Sequence, residues 1–138
     1  MESVLREPAP IELRGRIIRS GTAEGIALVS PQPVGFLGGI DPETGIVIES
    51  GHPLEGQCVT GRILVFPTGK GSTVGSYTLY RMARAGTAPT AILNAESEAI
   101  VAVGAIIGDI PMVDHLDISQ IKTGDRVRVV GDRVWVGS

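Results

Sequence analysis

Gly69-Lys70-Gly71-Ser72-Thr73-Val74-Gly75-Ser76 is the stretch on which the reading of this chain turns. An apolar run, Arg62-Ile63-Leu64-Val65-Phe66, enters it, and a helix-like stretch, Tyr77 to Ala85, leaves it. A strand that passes through a glycine-rich turn into a helix makes an anion site. The unpaired N–H groups of the first helical turn and the positive end of the helix dipole both face the turn. Ser72 stands at the expected helix start, where a hydroxyl can act as N-cap, anion ligand or catalytic base.

The turn matches neither familiar phosphate motif. A P-loop needs Gly-Lys-Ser/Thr in that order, whereas Lys70 precedes Gly71. A dinucleotide fingerprint needs G-x-G-x-x-G, whereas the spacing here is Gly69-x-Gly71-x-x-x-Gly75. From the pattern alone, a plain turn capped by Ser72 and a site for an anion or carboxylate substrate both stay open.

Downstream, Gly75, Leu79, Met82 and Gly86 lie on one helical face, with Gly86 as a natural stop. Thr90-Ala91-Ile92-Leu93 reads as a strand. Glu96 and Glu98 then favour a helix start, and Ile100, Val103, Gly104 and Ile107 give its buried face. Pro111-Met112-Val113 begins another strand. Val127–Val130 and Arg133–Val136 form a hairpin about Gly131-Asp132. Upstream, residues 1–10 read as a loose arm, and Ile11, Leu13, Gly15 and Ile17 alternate as one half-exposed strand. Residues 18–25 read as a turn before a strand over Ile26–Val29. Pro31 to Gly45 is a long loop rich in breakers, yet Val34, Phe36, Leu37 and Ile40 argue that it packs. Ile46–Ile48 and Cys58–Phe66 complete the strands. The order predicts an α+β fold over residues 11–138: a β-layer or partial barrel covered by two helices.

Composition narrows the function. Only 4% of residues are aromatic and the net charge is −3, so the chain offers neither a base-stacking platform nor a basic footprint for nucleic acid. The longest apolar run, Ala99 to Ile107, is too short to span a bilayer, and no signal-like apolar core is present, so no membrane role is expected. The single cysteine, Cys58, fits a reducing cytoplasm; it is expected to pack as a small hydrophobe and cannot hold an iron–sulfur cluster alone. His52 and His115 lack a second ligand at metal spacing, so no metal site is expected and both read as surface or packing residues. Asp41, before Pro42, reads as a turn former.

Several segments together carry a resemblance. They are Gly21-Thr-Ala-Glu-Gly25, Gly35-Phe-Leu-Gly-Gly-Ile-Asp-Pro-Glu-Thr-Gly45, Gly61-Arg-Ile-Leu-Val-Phe-Pro67, Gly69-Lys-Gly-Ser-Thr-Val-Gly-Ser-Tyr77 and Ala99-Ile-Val-Ala-Val-Gly104. In this order, over roughly residues 11–130, the chain resembles the small subunit of the aconitase X family. It is nearer the archaeal branch, which dehydrates (R)-5-phosphomevalonate, than the bacterial branch, which dehydrates cis-3-hydroxy-L-proline. The resemblance implies a swivelling β/β/α domain that closes on a separate large subunit carrying an iron–sulfur cluster, with no cluster on this chain. It implies loss of water from (R)-5-phosphomevalonate to give trans-anhydromevalonate 5-phosphate. Ser72 maps onto the family's proton-accepting serine; Gly69, Lys70, Gly71 and Thr73 of the same glycine turn are expected to bind the substrate. Lys70 has three readings: anchor for a substrate carboxylate or phosphate, stabiliser of the Ser72 anion, or solvated turn residue. Another hydroxy acid as substrate, or a non-catalytic anion-binding module, is the competing expectation. A phosphohistidine carrier would need a histidine where Ser72 stands.

Overall fold

The computed structural model describes residues 10–137, so the expected arm lies outside the described residues except for Pro10. Among the described residues there are eight strands and two α-helices: β1 Ile11–Arg14, β2 Arg16–Arg19, β3 Thr22–Val29, β4 Ile63–Phe66, α1 Gly75–Ala85, β5 Ala91–Asn94, α2 Ala99–Ile107, β6 Met112–Asp114, β7 Arg126–Val130 and β8 Arg133–Gly137. One sheet runs in the order β1-β8-β7-β3-β4-β5-β6-β2. Its β3-β4-β5-β6 portion is parallel, joined by the long irregular segment between β3 and β4 and then by the two helices; the rest is antiparallel.

The first two strands explain the shape. They occupy opposite edges of the sheet yet are separated only by Gly15. The sheet must therefore curl until its edges nearly meet. Gly15 is the joint: its N–H donates to the Asp132 carbonyl at 2.9 Å, and a Cβ there would stand 2.3 Å from the Asp114 carbonyl oxygen. The expected single strand over 11–17 is thus two strands, divided where only glycine fits.

Alternation along the central strands fills both faces. In β4, Leu64 and Phe66 face the helices while Ile63 and Val65 face into the curl, and all four are buried. On the helix side, Leu28, Ile92 and Met112 pack against Leu79, Met82, Val101 and Ala105. Phe36 and Ile40 of the long loop, and Val47 just beyond it, join this core. Inside the curl, Leu93, Val113, Val127, Val129 and Val134 form a second core. The fold is the expected β/β/α arrangement.

Local boundaries differ where glycine has more than one use. Residues 22–25, read as part of a turn, are the first half of β3. Gly21 and Gly25 admit close neighbours: a Cβ would lie 2.6 Å from Pro111 Cγ and 3.2 Å from the Gly61 oxygen, respectively. The strand expected over Cys58–Phe66 shortens to Ile63–Phe66, and Ile46–Ile48 reduces to isolated bridges. Cys58 is exposed rather than packed, its thiol turned to the Thr44 carbonyl at 3.4 Å. In α2 the buried face is Val101, Gly104 and Ala105, leaving Val103, Ile106 and Ile107 exposed. In an uninterrupted apolar stretch, composition cannot say which face turns inward; the close approach of Gly104 to Leu79 of α1 decides it. Gly86 closes α1 in the left-handed conformation, and Gly131 turns the β7–β8 hairpin at φ 60°, both as expected.

Candidate active site at the glycine turn

The parallel strands end along one rim, where open α/β sheets place their ligands. β4 leaves through Pro67, whose carbonyl accepts the N–H groups of Ala95 and Glu96 at 3.1 and 3.0 Å. Asn94, fully buried at the end of β5, donates its amide to the Phe66 carbonyl at 2.9 Å and the Leu93 carbonyl at 3.2 Å. Its Oδ1 has no hydrogen-bond partner among the described residues. The exits of β4 and β5 are therefore tied together beneath the glycine turn.

Three neighbours shape the turn. On one side Val34 bridges Gly69, and the Lys70 N–H donates to the Val34 carbonyl at 3.1 Å. On the other, Glu98 caps α2, accepting the N–H groups of Ile100 at 2.8 Å and Val101 at 3.2 Å. Gly69 is buried between them. Gly71 has φ 109°, a backbone setting that penalises any side chain. Beyond it, α1 begins.

Ser72 is not the helix N-cap. That place belongs to Val74, which offers no capping side chain. Instead the chain folds into one tight turn, closed by the Gly75 N–H on the Ser72 carbonyl at 2.8 Å. The Val74 N–H donates to Ser72 Oγ at 3.2 Å. Ser72 is thereby pushed out ahead of the helix, exposed together with Gly71 and Thr73. The backbone N–H groups of these three residues make no hydrogen bond among the described residues. A hydroxyl that already accepts one N–H, beside other open N–H groups, sits where negative charge on oxygen is favoured. Leu37, Val74 and Tyr77 give the rim exposed apolar side chains at 47%, 49% and 68% exposure.

The structure thus brings Gly71, Ser72 and Thr73 together on an open surface. Gly69 lies beneath them as a packing residue. Lys70 is neither free nor merely solvated: Nζ donates to Glu49 Oε2 at 2.7 Å. Glu49 was beyond sequence reasoning, because nothing local in Ile48-Glu49-Ser50 points 21 residues ahead. Asn94 did leave a signal, a polar side chain closing the apolar run Ala91-Ile92-Leu93.

Further along the rim, buried Asp114 accepts Arg16 Nε at 3.0 Å and Nη2 at 2.8 Å, together with the Ser97 N–H at 2.9 Å. Burial alone would raise its pKa, but these hydrogen bonds outweigh it and hold the carboxyl down at about 2. Glu96 and His115 stand beside it, with His115 Nε2 3.2 Å from Glu96 Oε1. Three donors already occupy the Asp114 carboxylate, which is thereby committed to its ion pair with Arg16. His52 is the expected packing residue, buried and bonded at Nε2 to the Pro33 carbonyl at 3.0 Å. Asp41 forms its expected turn, Oδ1 accepting the Glu43 N–H at 2.9 Å.

A curled mixed sheet, two crossover helices on one face and an open serine-bearing turn at the rim define a swivel-type β/β/α domain. The aconitase X swivel-domain family model matches residues 12–137, and the chain belongs to that family. It is 53% identical over 130 residues to the phosphomevalonate dehydratase small subunit of Methanosarcina acetivorans, covering 92% of this chain and 90% of that one. It is 56% identical over 122 residues to the protein of the same name from Thermococcus kodakarensis, covering 88% and 92%. The crystal structure of holo-form aconitase X of Thermococcus kodakaraensis superposes with a TM-score of 0.90 at 52% identity, over 93% of this chain and 99% of that one.

Proposed function

We infer that this chain is the small subunit of a hydro-lyase that removes water from (R)-5-phosphomevalonate to give trans-anhydromevalonate 5-phosphate. What carries the reading is identity above 50% across about nine-tenths of both chains with relatives named phosphomevalonate dehydratase small subunit. The rim supports it by offering an exposed hydroxyl oxygen and open N–H donors beside the exposed apolar side chains of Leu37, Val74 and Tyr77.

In this reading Ser72 Oγ takes the proton next to the substrate carboxylate. The electron pair of the broken C–H bond forms the new double bond, the hydroxyl departs, and return of the proton from Ser72 Oγ completes the released water and regenerates the base. The Val74 N–H and the open turn amides stabilise the charge on Oγ that makes it a base. Gly71, Thr73 and Lys70 bind the substrate's anionic groups. An iron–sulfur cluster does not fit this chain, whose one cysteine is exposed and bonded to a carbonyl. The cluster belongs to the large partner subunit, as does the departure of the hydroxyl. The apolar rim of Leu37, Val74 and Tyr77 suits burial against that partner. No helix among the described residues is long and apolar enough to cross a membrane. The lone cysteine suits a reducing cytoplasm.

The test is reconstitution. Purified alone, the chain is expected to fold and show no turnover; with its large subunit it is expected to dehydrate (R)-5-phosphomevalonate. Turnover by the isolated chain, or an assembled enzyme that ignores this substrate, overturns the reading.

A further inference from the structure

Two features converge on the Lys70 side chain. Its stem runs over Gly35, where a Cβ would stand 3.3 Å from Lys70 Cγ and 2.9 Å from the Lys70 carbonyl oxygen. Its ammonium ends on Glu49 Oε2 at 2.7 Å. Glu49 is itself placed: its N–H donates to the Gly39 carbonyl at 3.3 Å, and a Cβ on Gly39 would lie 3.6 Å from Oε1. Two backbone segments between β3 and β4 thus cradle one lysine, the first by lacking a side chain and the second by supplying a carboxylate. The ammonium stays open to solvent, with the Lys70 side chain 45% exposed.

We propose that Glu49 is a positioning residue for Lys70, holding the ammonium at the edge of the glycine turn so that it receives an anionic group of the substrate, a carboxylate or a phosphate. The proposal rests on the reading of this turn as the substrate site. An ammonium has three donors; Glu49 takes one and leaves two. A free lysine arm must be ordered at each binding event, whereas this arm is ordered beforehand at its stem and its tip. Glu49 also carries a hidden liability. Without Lys70 its bare carboxylate would repel the same substrate group.

That liability gives a test which a merely structural pair would not pass. Steady-state constants are measured on the assembled enzyme with (R)-5-phosphomevalonate, alongside melting temperatures. Glu49→Gln is expected to raise KM by about three- to tenfold with kcat within about twofold and an unchanged melting temperature, the pattern of lost binding rather than lost chemistry. Glu49→Asp, with a shorter reach, falls between it and wild type. Lys70→Met raises KM further, and adding Glu49→Gln to it lowers KM again by removing the uncompensated carboxylate. An unchanged KM in Glu49→Gln, while Ser72→Ala is inactive, overturns the positioning role and leaves the site standing. An unchanged KM together with an active Ser72→Ala removes the site itself. A lowered melting temperature with both constants unchanged makes the pair purely structural and also overturns the proposal.

Discussion

Gly69 and Glu98 meet where the glycine turn passes the start of α2. A methyl group on Gly69 would stand 3.1 Å from Glu98 Oε1 and 2.5 Å from Val101 Cγ2. Glu98 is committed to two N–H groups and Val101 is buried in the core, so neither neighbour moves freely. The turn that carries Ser72 is therefore set by the beginning of a helix that follows it by a whole helix and a strand.

Gly69→Ala is expected to cost about 1–3 kcal/mol of stability, the range for overpacking a well-packed interior. Turnover should fall with it, because the strain is relieved by shifting the turn. Urea unfolding of the isolated chain gives the first quantity and assay of the assembled enzyme the second. A wild-type unfolding midpoint would mean that the turn does not lie against α2 in this way.

Gly15→Ala tests the curl of the sheet. Its Cβ meets a backbone oxygen at 2.3 Å, which no rotamer change relieves. A loss of about 3 kcal/mol or more is expected, at the upper end for overpacking. Gly137→Ala is the control, since nothing lies within 4 Å of a Cβ there. Thermal melts of the two variants should separate clearly; equal melting temperatures would refute the tight joint between β1 and β2.

Much of this fold was legible because period and punctuation agree in its second half. Between Ile63 and Met112 each strand is an apolar run and each helix has a start or stop signal in Glu98 or Gly86. The first half misled because glycine has several uses. Gly15 reads as a strand residue but divides β1 from β2, and Gly21 and Gly25 look like turn residues but serve close approach beside or inside β3, which only a distant neighbour such as Asp114 or Pro111 reveals. The candidate site divides in the same way. Ser72 and its glycines are local in sequence and could be read. Glu49 and the Arg16–Asp114 pair depend on the loop folding back and the sheet curling round, and no short window contains either.

Asp114 makes a pH prediction. Its carboxyl lies at about 2 in the folded chain against an ordinary 3.8, so the unfolded chain binds the proton more readily. The resulting stabilisation is fully present above pH ~4 and is lost as the pH falls toward ~2. At about 1.4 kcal/mol for each pH unit of displacement, it amounts to about 2–3 kcal/mol. Asp114→Asn, which leaves Arg16 without its counter-charge, should lose about that much at neutral pH and flatten the acid limb of the stability curve. Urea titrations of both proteins from pH 2 to pH 6 check this; parallel curves would place the acid sensitivity elsewhere.

Ser72 and Ser76 separate chemistry from stability within one turn of chain. Ser72 Oγ is exposed and accepts a single N–H at 3.2 Å. Ser76 Oγ is buried and donates to the Thr73 carbonyl at 3.0 Å. Removing the buried donor in Ser76→Ala should cost about 1 kcal/mol of stability. With the Ser72 oxygen retained, the variant should turn over at a rate close to wild type. Removing the exposed oxygen in Ser72→Ala should leave the melting temperature within about 2 °C, because an exposed hydrogen bond contributes little net stability. Turnover of the assembled enzyme should nevertheless fall by about 10²–10⁴-fold, the usual loss when a proton-transfer group is removed. A Ser72→Ala enzyme that keeps more than about a tenth of its turnover has lost less than about 1.4 kcal/mol of transition-state stabilisation. That is too little for a catalytic base, and it would reduce Ser72 to a turn residue.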